Sequence, residues 1–251
     1  MFREDVMVIR MLALAATAAL ALGPSAQAAE VRVLASNAVK TVLEELGPQF
    51  EKSSEHKLTM VFGTAAALKG EIEKGAAVDV ALLTDGGIND LVKQNKLTSA
   101  APLAGSGAGV AIKKGAAKPD LSSIEAFKKT LLDAKSIAYV EQGATGIYLK
   151  SLFEKLGVAD AIKGKVKFVK SAAEAVQNGE AEIGFTQISE ILPYPGTEVA
   201  GPLPTEIQLR TNFSSGIGAS VKDPAAAKAF VQFLSTPAAA AVIKAKGLDP
   251  R

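Results

Sequence analysis

The chain has 251 residues, with 28 Lys plus Arg against 26 Asp plus Glu, a formal net charge of +2, one histidine, no tryptophan and no cysteine. A near-neutral balance with so few aromatics offers no nucleic-acid surface, and the missing cysteines exclude disulfides and a thiolate metal site. The sole histidine, His56, sits in the polar run K-S-S-E-H-K and is expected on the solvated surface, which leaves neither a histidine metal centre nor a Ser-His-Asp triad; no metal and no cofactor are expected.

Residues 1–28 read as a signal peptide. Arg10 precedes the apolar run Met11–Leu22, then come Gly23-Pro24 and the small-residue segment Ser25-Ala26-Gln27-Ala28. The run is too short to cross a bilayer, which takes about 20 residues; that length opposes the competing reading, an uncleaved anchor. Glu4 and Asp5 fit such a leader poorly, and Met7 is an alternative start. The leader implies export to the periplasm; from Ala29 onward no apolar run is long enough to span a membrane, so the mature chain is expected not to be membrane-embedded, and its length suits one large domain or two lobes.

Val31–Leu34 alternates as a short strand, and Val39, Val42, Leu43, Leu46 and Phe50 recur at helical spacing. Between them, Ser36 or Asn37 is the natural N-cap. A strand feeding a capped helix aims unpaired N–H groups and the positive helix end at one point, which attracts anions. Each such terminus contributes only about 0.3–1 kcal/mol per charge, so several must converge to hold a ligand. The device recurs. Lys57–Phe62 is a strand, Gly63–Ala67 a small polar turn and Leu68–Lys74 a helix; Val78–Leu83 reads as a buried strand, Thr84–Gly87 as a turn and Ile88–Gln94 as a helix. Such alternation implies parallel strands with crossover helices.

Gly105–Lys114 and Ser214–Lys222 share a small-residue, strand-like texture. They fit strands passing between two lobes, and equally well ordinary strands whose glycines mark bulges or close packing. Between them lie helix Leu121–Leu132, strand Ser136–Val140, the polar loop Glu141–Gly146, helix Ile147–Leu156, strand Val166–Val169, helix Ser171–Asn178 and strand Ile183–Thr186, leading to Gln187. Pro193–Pro204, with four prolines, is expected to be an irregular connector. Asp223-Pro224 and Thr236-Pro237 each open a helix with proline at its first position.

The segments V-R-V-L-A-S-N-A, F-G-T-A-A-A-L-K-G-E-I-E-K-G-A-A-V-D-V-A-L-L-T-D, T-G-I-Y-L-K-S-L-F-E-K-L-G and F-V-Q-F-L-S-T-P-A-A-A-A-V-I-K-A-K-G resemble the periplasmic molybdate-binding proteins. The resemblance implies an α/β, two-lobed, type II periplasmic-binding-protein fold, each lobe a mostly parallel sheet flanked by helices, with the ligand cleft between lobes. It also favours crossing strands over the alternative. The implied division is 29–107 for the first part of lobe 1, 108–215 for lobe 2 and 216–251 for the return strand and C-terminal helices of lobe 1.

Carried over residue by residue, the resemblance implies a changed ligand site. The family's two serines fall on Ala38 and Ala65, with Thr64 beside the second; the alanine of its third loop falls on Thr145; the valine that offers its N–H falls on Val169; its tyrosine falls on Gln187. Alanine for serine removes a donor and makes room, which suits an organic di- or tricarboxylate better than a tetrahedral oxyanion. Asn37, Thr64, Thr145, Tyr148 and Gln187 are candidate neutral donors, and Lys40 and Arg210 candidate cations, since a guanidinium grips a carboxylate with two bonds. Each has a plain structural alternative: Lys40 and Arg210 solvated, Tyr148 packed with its hydroxyl on a backbone group, Asp79 and Asp85 capping turns. The resemblance thus implies a monomeric solute-binding protein that captures a small anion, an organic di- or tricarboxylate or an oxyanion such as molybdate held by backbone donors and Thr64, and delivers it by hinge closure to an ABC transporter permease. An aconitate isomerase that resembles this family supplies the alternative, proton transfer on the same scaffold, although the sequence identifies no base.

Overall fold

The computed structural model describes residues 28–251, so the expected signal peptide lies, but for Ala28, outside the described residues. Strand and helix alternate from the start. β1 (Glu30–Ser36) passes through a 3-10 turn (Asn37–Val39) into α1 (Lys40–Ser54). β2 (Lys57–Gly63) leads to α2 (Ala65–Glu73), and β3 (Val80–Thr84) to α3 (Asp85–Lys93). A hydroxyl caps the 3-10 turn and the next two helices: Ser36 Oγ accepts from the Ala38 N–H at 3.4 Å, Thr64 Oγ1 from Ala67 at 3.2 Å and Thr84 Oγ1 from Gly87 at 3.3 Å. A cap contributes about 1 kcal/mol. Val42, Leu43, Leu46 and Phe50, all buried on one face of α1, contribute about 1.5–3 kcal/mol each. The caps fix where a helix begins, and the buried face holds it there.

The second half repeats the pattern. β4 (Ala101–Lys113) is followed by α4 (Ile124–Asp133), β5 (Ile137–Tyr139), α5 (Ala144–Lys155) and the short α6 (Ala159–Ile162). Then come β6 (Val166–Phe168), α7 (Ala172–Gln177), β7 (Ile183–Gln187), α8 (Ile188–Ile191) and β8 (Thr197–Pro202). β9 (Arg210–Ile217), α9 (Pro224–Leu234), α10 (Pro237–Ala245) and β10 (Asp249–Pro250) close the chain. No single described helix is long and apolar enough to cross a membrane.

The strands run in the order β2-β1-β3-β9-β4-β7-β5-β6, with β8 and β10 also paired to β4. β1 lies parallel to β2 and β3, and β5 parallel to β6 and β7, as the βαβ units require. The two lobes have separate cores. Val33, Leu43, Phe50, Leu82 and Phe230 pack in the first, and Val110, Phe127, Phe153 and Phe185 in the second, where Phe127 and Phe185 meet edge to face at 5.8 Å.

β4 joins the lobes. Its first half pairs with β9 as far as Gly107, opposite Arg210; from Ala108, opposite Gln187, it pairs with β7. The glycine-rich texture of this stretch therefore belongs to a crossing strand. The return crossing lies ahead of the division at 216 read from the sequence, because β9 already faces β4 at Arg210 and β3 at Phe213. Its polar opening, R-T-N, does not look like a strand, whereas its small-residue end does.

Two local expectations are corrected. Pro193–Pro204 is not wholly irregular: β8 lies within it, antiparallel to β4, with a register shift at Val110/Ala111. Its prolines flank or end the strand and leave Thr197–Gly201 free to pair, as an edge strand permits. His56 is partly buried rather than solvated. Its Nδ1 accepts from the Ala29 N–H at 3.1 Å, and its ring lies 6.1 Å from that of Phe50.

Candidate functional site

The helix starts meet between the lobes. A cleft of about 450 Å³ is lined on one side by Ser36, Asn37, Ala38, Lys40, Thr64, Ala65 and Thr84, and on the other by Gly143, Thr145, Ser171, Gln187 and Glu190. The first set comes from the ends of β1, β2 and β3 and the helices that follow; the second from the loop before α5, the cap of α7 and the β7–α8 junction. The cleft thus gathers the capped helix starts that the sequence pattern implied.

Asn37, Ala38, Lys40, Thr64, Ala65, Thr145 and Gln187 all line it. Thr145 and Gln187 are 5% and 3% exposed, which makes their hydrogen bonds decisive. Gln187 Nε2 donates to Thr145 Oγ1 at 2.9 Å and to Thr211 Oγ1 at 3.0 Å. The contact with Thr211, on β9, runs from the second lobe to the return strand. Gln187 Oε1 and Ser189 Oγ are both buried with no hydrogen bond of good geometry among the described residues, although the Gln187 side chain also faces the Glu190 N–H in a capping box. Buried polar atoms left unpaired cost about 1–3 kcal/mol each, so two beside one cleft point to a polar guest. Lys40 is half exposed, 3.7 Å from Glu44 and 5.8 Å above the Phe62 ring.

Three expected residues lie elsewhere. The Tyr148 hydroxyl donates to the Ile207 carbonyl at 2.8 Å, and burial holds its phenol above its ordinary pKa. The Val169 N–H donates to the Tyr139 carbonyl at 3.2 Å, continuing the β5–β6 pairing, and so is not free for a ligand. Arg210 pairs with Asp249 on β10. Neither Asp79 nor Asp85 lines the cleft: Asp79 accepts from the Arg32 N–H at 2.7 Å, and Asp85 from Ser214 Oγ at 2.6 Å and from Arg251 at 2.8 Å.

The structure adds residues that the sequence reading missed. Lys170, Ser171, Ser189, Glu190 and Tyr194 also line the cleft. Ser171 Oγ donates to the Tyr194 hydroxyl at 3.1 Å and caps α7. Glu190 Oε2 accepts from Thr186 Oγ1 and from the Gln187 N–H, the latter at 3.3 Å. Burial raises the Glu190 pKa, an effect those two hydrogen bonds partly offset. The one signal for Glu190 in the sequence was its place three residues after a helix-starting Gln187.

Like α1, and unlike α2, α3, α4, α9 and α10, α5 opens without a side-chain cap. Gly143 precedes it and supplies no side-chain cap, so its first-turn N–H groups depend on solvent or a guest. Gly146, one turn in, lies so near β5 that a Cβ there would come 2.0 Å from the Val140 carbonyl oxygen. That close approach seats the open helix start against the cleft.

A model of the bacterial extracellular solute-binding protein family matches residues 31–249. An aconitate isomerase from a Pseudomonas species is 31% identical over 95% of this chain and 94% of its own. The molybdate-binding protein ModA of Azotobacter vinelandii is 30% identical over 90% of this chain and 92% of its own. Among solved structures, the periplasmic molybdate-binding protein of Azotobacter vinelandii superposes with a TM-score of 0.72 at 22% identity, covering 87% of this chain and 98% of that one.

Proposed function

Because the chain belongs to the bacterial extracellular solute-binding protein family, we propose that it captures a small organic polycarboxylate between its lobes. After export to the periplasm, the loaded monomer presents this ligand to an ABC importer permease. The observation that carries the ligand class is the cleft itself. Its 450 Å³ falls in the range for small organic molecules, about 300–1,000 Å³. Methyl groups of Ala38 and Ala65 stand where the resemblance to molybdate binders calls for serine hydroxyls. An oxyanion with four oxygens loses two donors there, while a longer ligand gains room and can reach Lys40 and Lys170 on opposite walls.

Thermal unfolding of the purified mature chain tests this with tricarballylate, citrate, cis- and trans-aconitate, molybdate, tungstate and sulfate as separate additions. The expected result is stabilisation by the tricarboxylates and none by the inorganic anions. Stabilisation by molybdate alone overturns the ligand class.

The aconitate isomerase relative supports a second reading, in which the cleft transforms its ligand rather than only carrying it. The specific observation in its favour is the carboxyl of Glu190 at the cleft wall.

A further inference from the structure

We infer that Glu190 is a catalytic acid–base residue, which moves a proton between the two outer carbons of an unsaturated tricarboxylate held in the cleft. The inference rests on the reading that a polycarboxylate occupies that cleft. It takes up the isomerase reading as well and goes further by assigning the group that performs the proton transfer and the path the proton takes.

The argument begins with placement. Glu190 lies on α8, directly after the β7 strand end that carries Gln187, and α8 packs against the Asn37–Val39 turn of the opposite lobe. The carboxyl is therefore held where the lobes meet. Oε2 is fixed by the Thr186 hydroxyl and the Gln187 N–H. Oε1 has no hydrogen-bond partner among the described residues, so when the group is protonated the proton belongs on that oxygen. Glu190 makes no ion pair among the described residues.

A fixed carboxylate is a poor component for simple anion capture. Ionised, it repels an anionic ligand; the cations lining the cleft are Lys40 and Lys170, which the ligand's own carboxylates require. The charged groups lining the cleft are Lys40 and Glu44 on α1, Lys170 before α7, Glu174 on α7 and Glu190 itself, with the phenol of Tyr194 beside them. Burial that favours the neutral acid makes the carboxylate a stronger base. Ser189 and Gln187, one and three residues earlier, bring the two unpartnered buried oxygens to the same wall. A hydroxyl oxygen and an amide oxygen there can meet ligand atoms on either side of the proton-transfer group.

The step balances without a cofactor. The ionised Glu190 takes a proton from the methylene carbon next to the ligand's double bond. The electron pair of that C–H bond spreads over three carbons and into the attached carboxylates, where Lys40 and Lys170 supply positive charge. Glu190 then returns a proton to the far carbon, and the double bond has moved by one position. Nothing is oxidised or reduced, and the glutamate ends ionised as it began.

The test uses the full mature chain with trans-aconitate in D₂O, followed by proton NMR. Tricarballylate, which has no double bond, serves in parallel as a binding probe by thermal shift. The wild type is expected to form cis-aconitate and to exchange ligand C–H for deuterium. Glu190→Gln is expected to lower that rate by about 10²–10⁴-fold while tricarballylate still stabilises the protein. Glu190→Asp retains the carboxyl and is expected to restore part of the rate, with a pH–rate profile that still shows one ionisation. A wild type that binds tricarballylate but neither exchanges nor isomerises trans-aconitate overturns this inference and leaves the capture reading standing. A wild type that no tricarboxylate stabilises removes the capture reading itself. Should Glu190→Gln fold and keep the full rate, or Glu190→Asp lose the pH dependence while active, the proton carrier is another group and the assignment fails.

Discussion

Gln208 holds Ala108 by both of its backbone polar groups: its Oε1 accepts from the Ala108 N–H, and its Nε2 donates to the Ala108 carbonyl, each at 3.1 Å. Ala108 is where β4 leaves β9 and takes up β7, so one amide clasps the outgoing crossing strand to the chain about to return. Two hydrogen bonds of this kind contribute about 1–3 kcal/mol together. Gln208→Ala is expected to lower unfolding free energy by that amount in urea titrations. It is also expected to broaden the distribution of lobe separations seen by small-angle scattering.

Removing Gln187 tests the buried amide between Thr145 and Thr211. Gln187→Ala leaves two buried hydroxyls without their partner. Affinity for a bound tricarboxylate is expected to fall by about 1–3 kcal/mol, roughly 5- to 150-fold, in titration calorimetry. Arg210→Ala, which breaks only the pair with Asp249 outside the cleft, is expected to leave affinity unchanged.

Gly146 is intolerant for a reason independent of charge. A methyl group there would sit 2.0 Å from a backbone oxygen of Val140 that cannot rotate away. Gly146→Ala is expected to displace the start of α5, lower the melting temperature by several degrees and abolish ligand stabilisation. Gly164→Ala, with nothing within 4 Å of the added methyl, is expected to change neither.

The Glu190 carboxyl imposes a pH dependence on folding. Its folded-state pKa is raised by burial, so the folded chain holds this proton more tightly than the unfolded chain. Its stabilising effect is complete below the ordinary carboxyl range and is lost as pH rises through the raised value. Unfolding temperatures of wild type and Glu190→Gln are therefore expected to agree most closely below about pH 4. At neutral pH and above the variant is expected to be the more stable of the two.

What could be read from the sequence was whatever a few adjacent residues decide. The face of α1, the Ser36 cap and the proline starts of α9 and α10 follow from spacing and cap chemistry alone. Gln187 was legible as a position through family resemblance, and the structure gives it two hydroxyl partners far along the chain. For Tyr148 the packed alternative is the one seen, its hydroxyl on the Ile207 carbonyl, and Arg210 pairs with Asp249; neither partner could be named beforehand because both are distant in sequence. Glu190 carried only the weak signal of its spacing from Gln187. In I-S-E-I it resembles any surface glutamate, and only the packing of a four-residue helix against the other lobe brings it to the cleft. β8 was hidden by the prolines that bound it.

The paired crossing of β4 and β9 carries a mechanical consequence. The two runs leave the first lobe hydrogen-bonded side by side, Gly107 against Arg210, as a narrow ribbon rather than two separate tethers. A ribbon flexes readily out of its own plane and resists sliding within it, because sliding would break every rung at once. On the capture reading proposed above, opening is expected to follow a single easy swing that returns Asn37 and Thr64 to the wall facing Thr145 and Gln187.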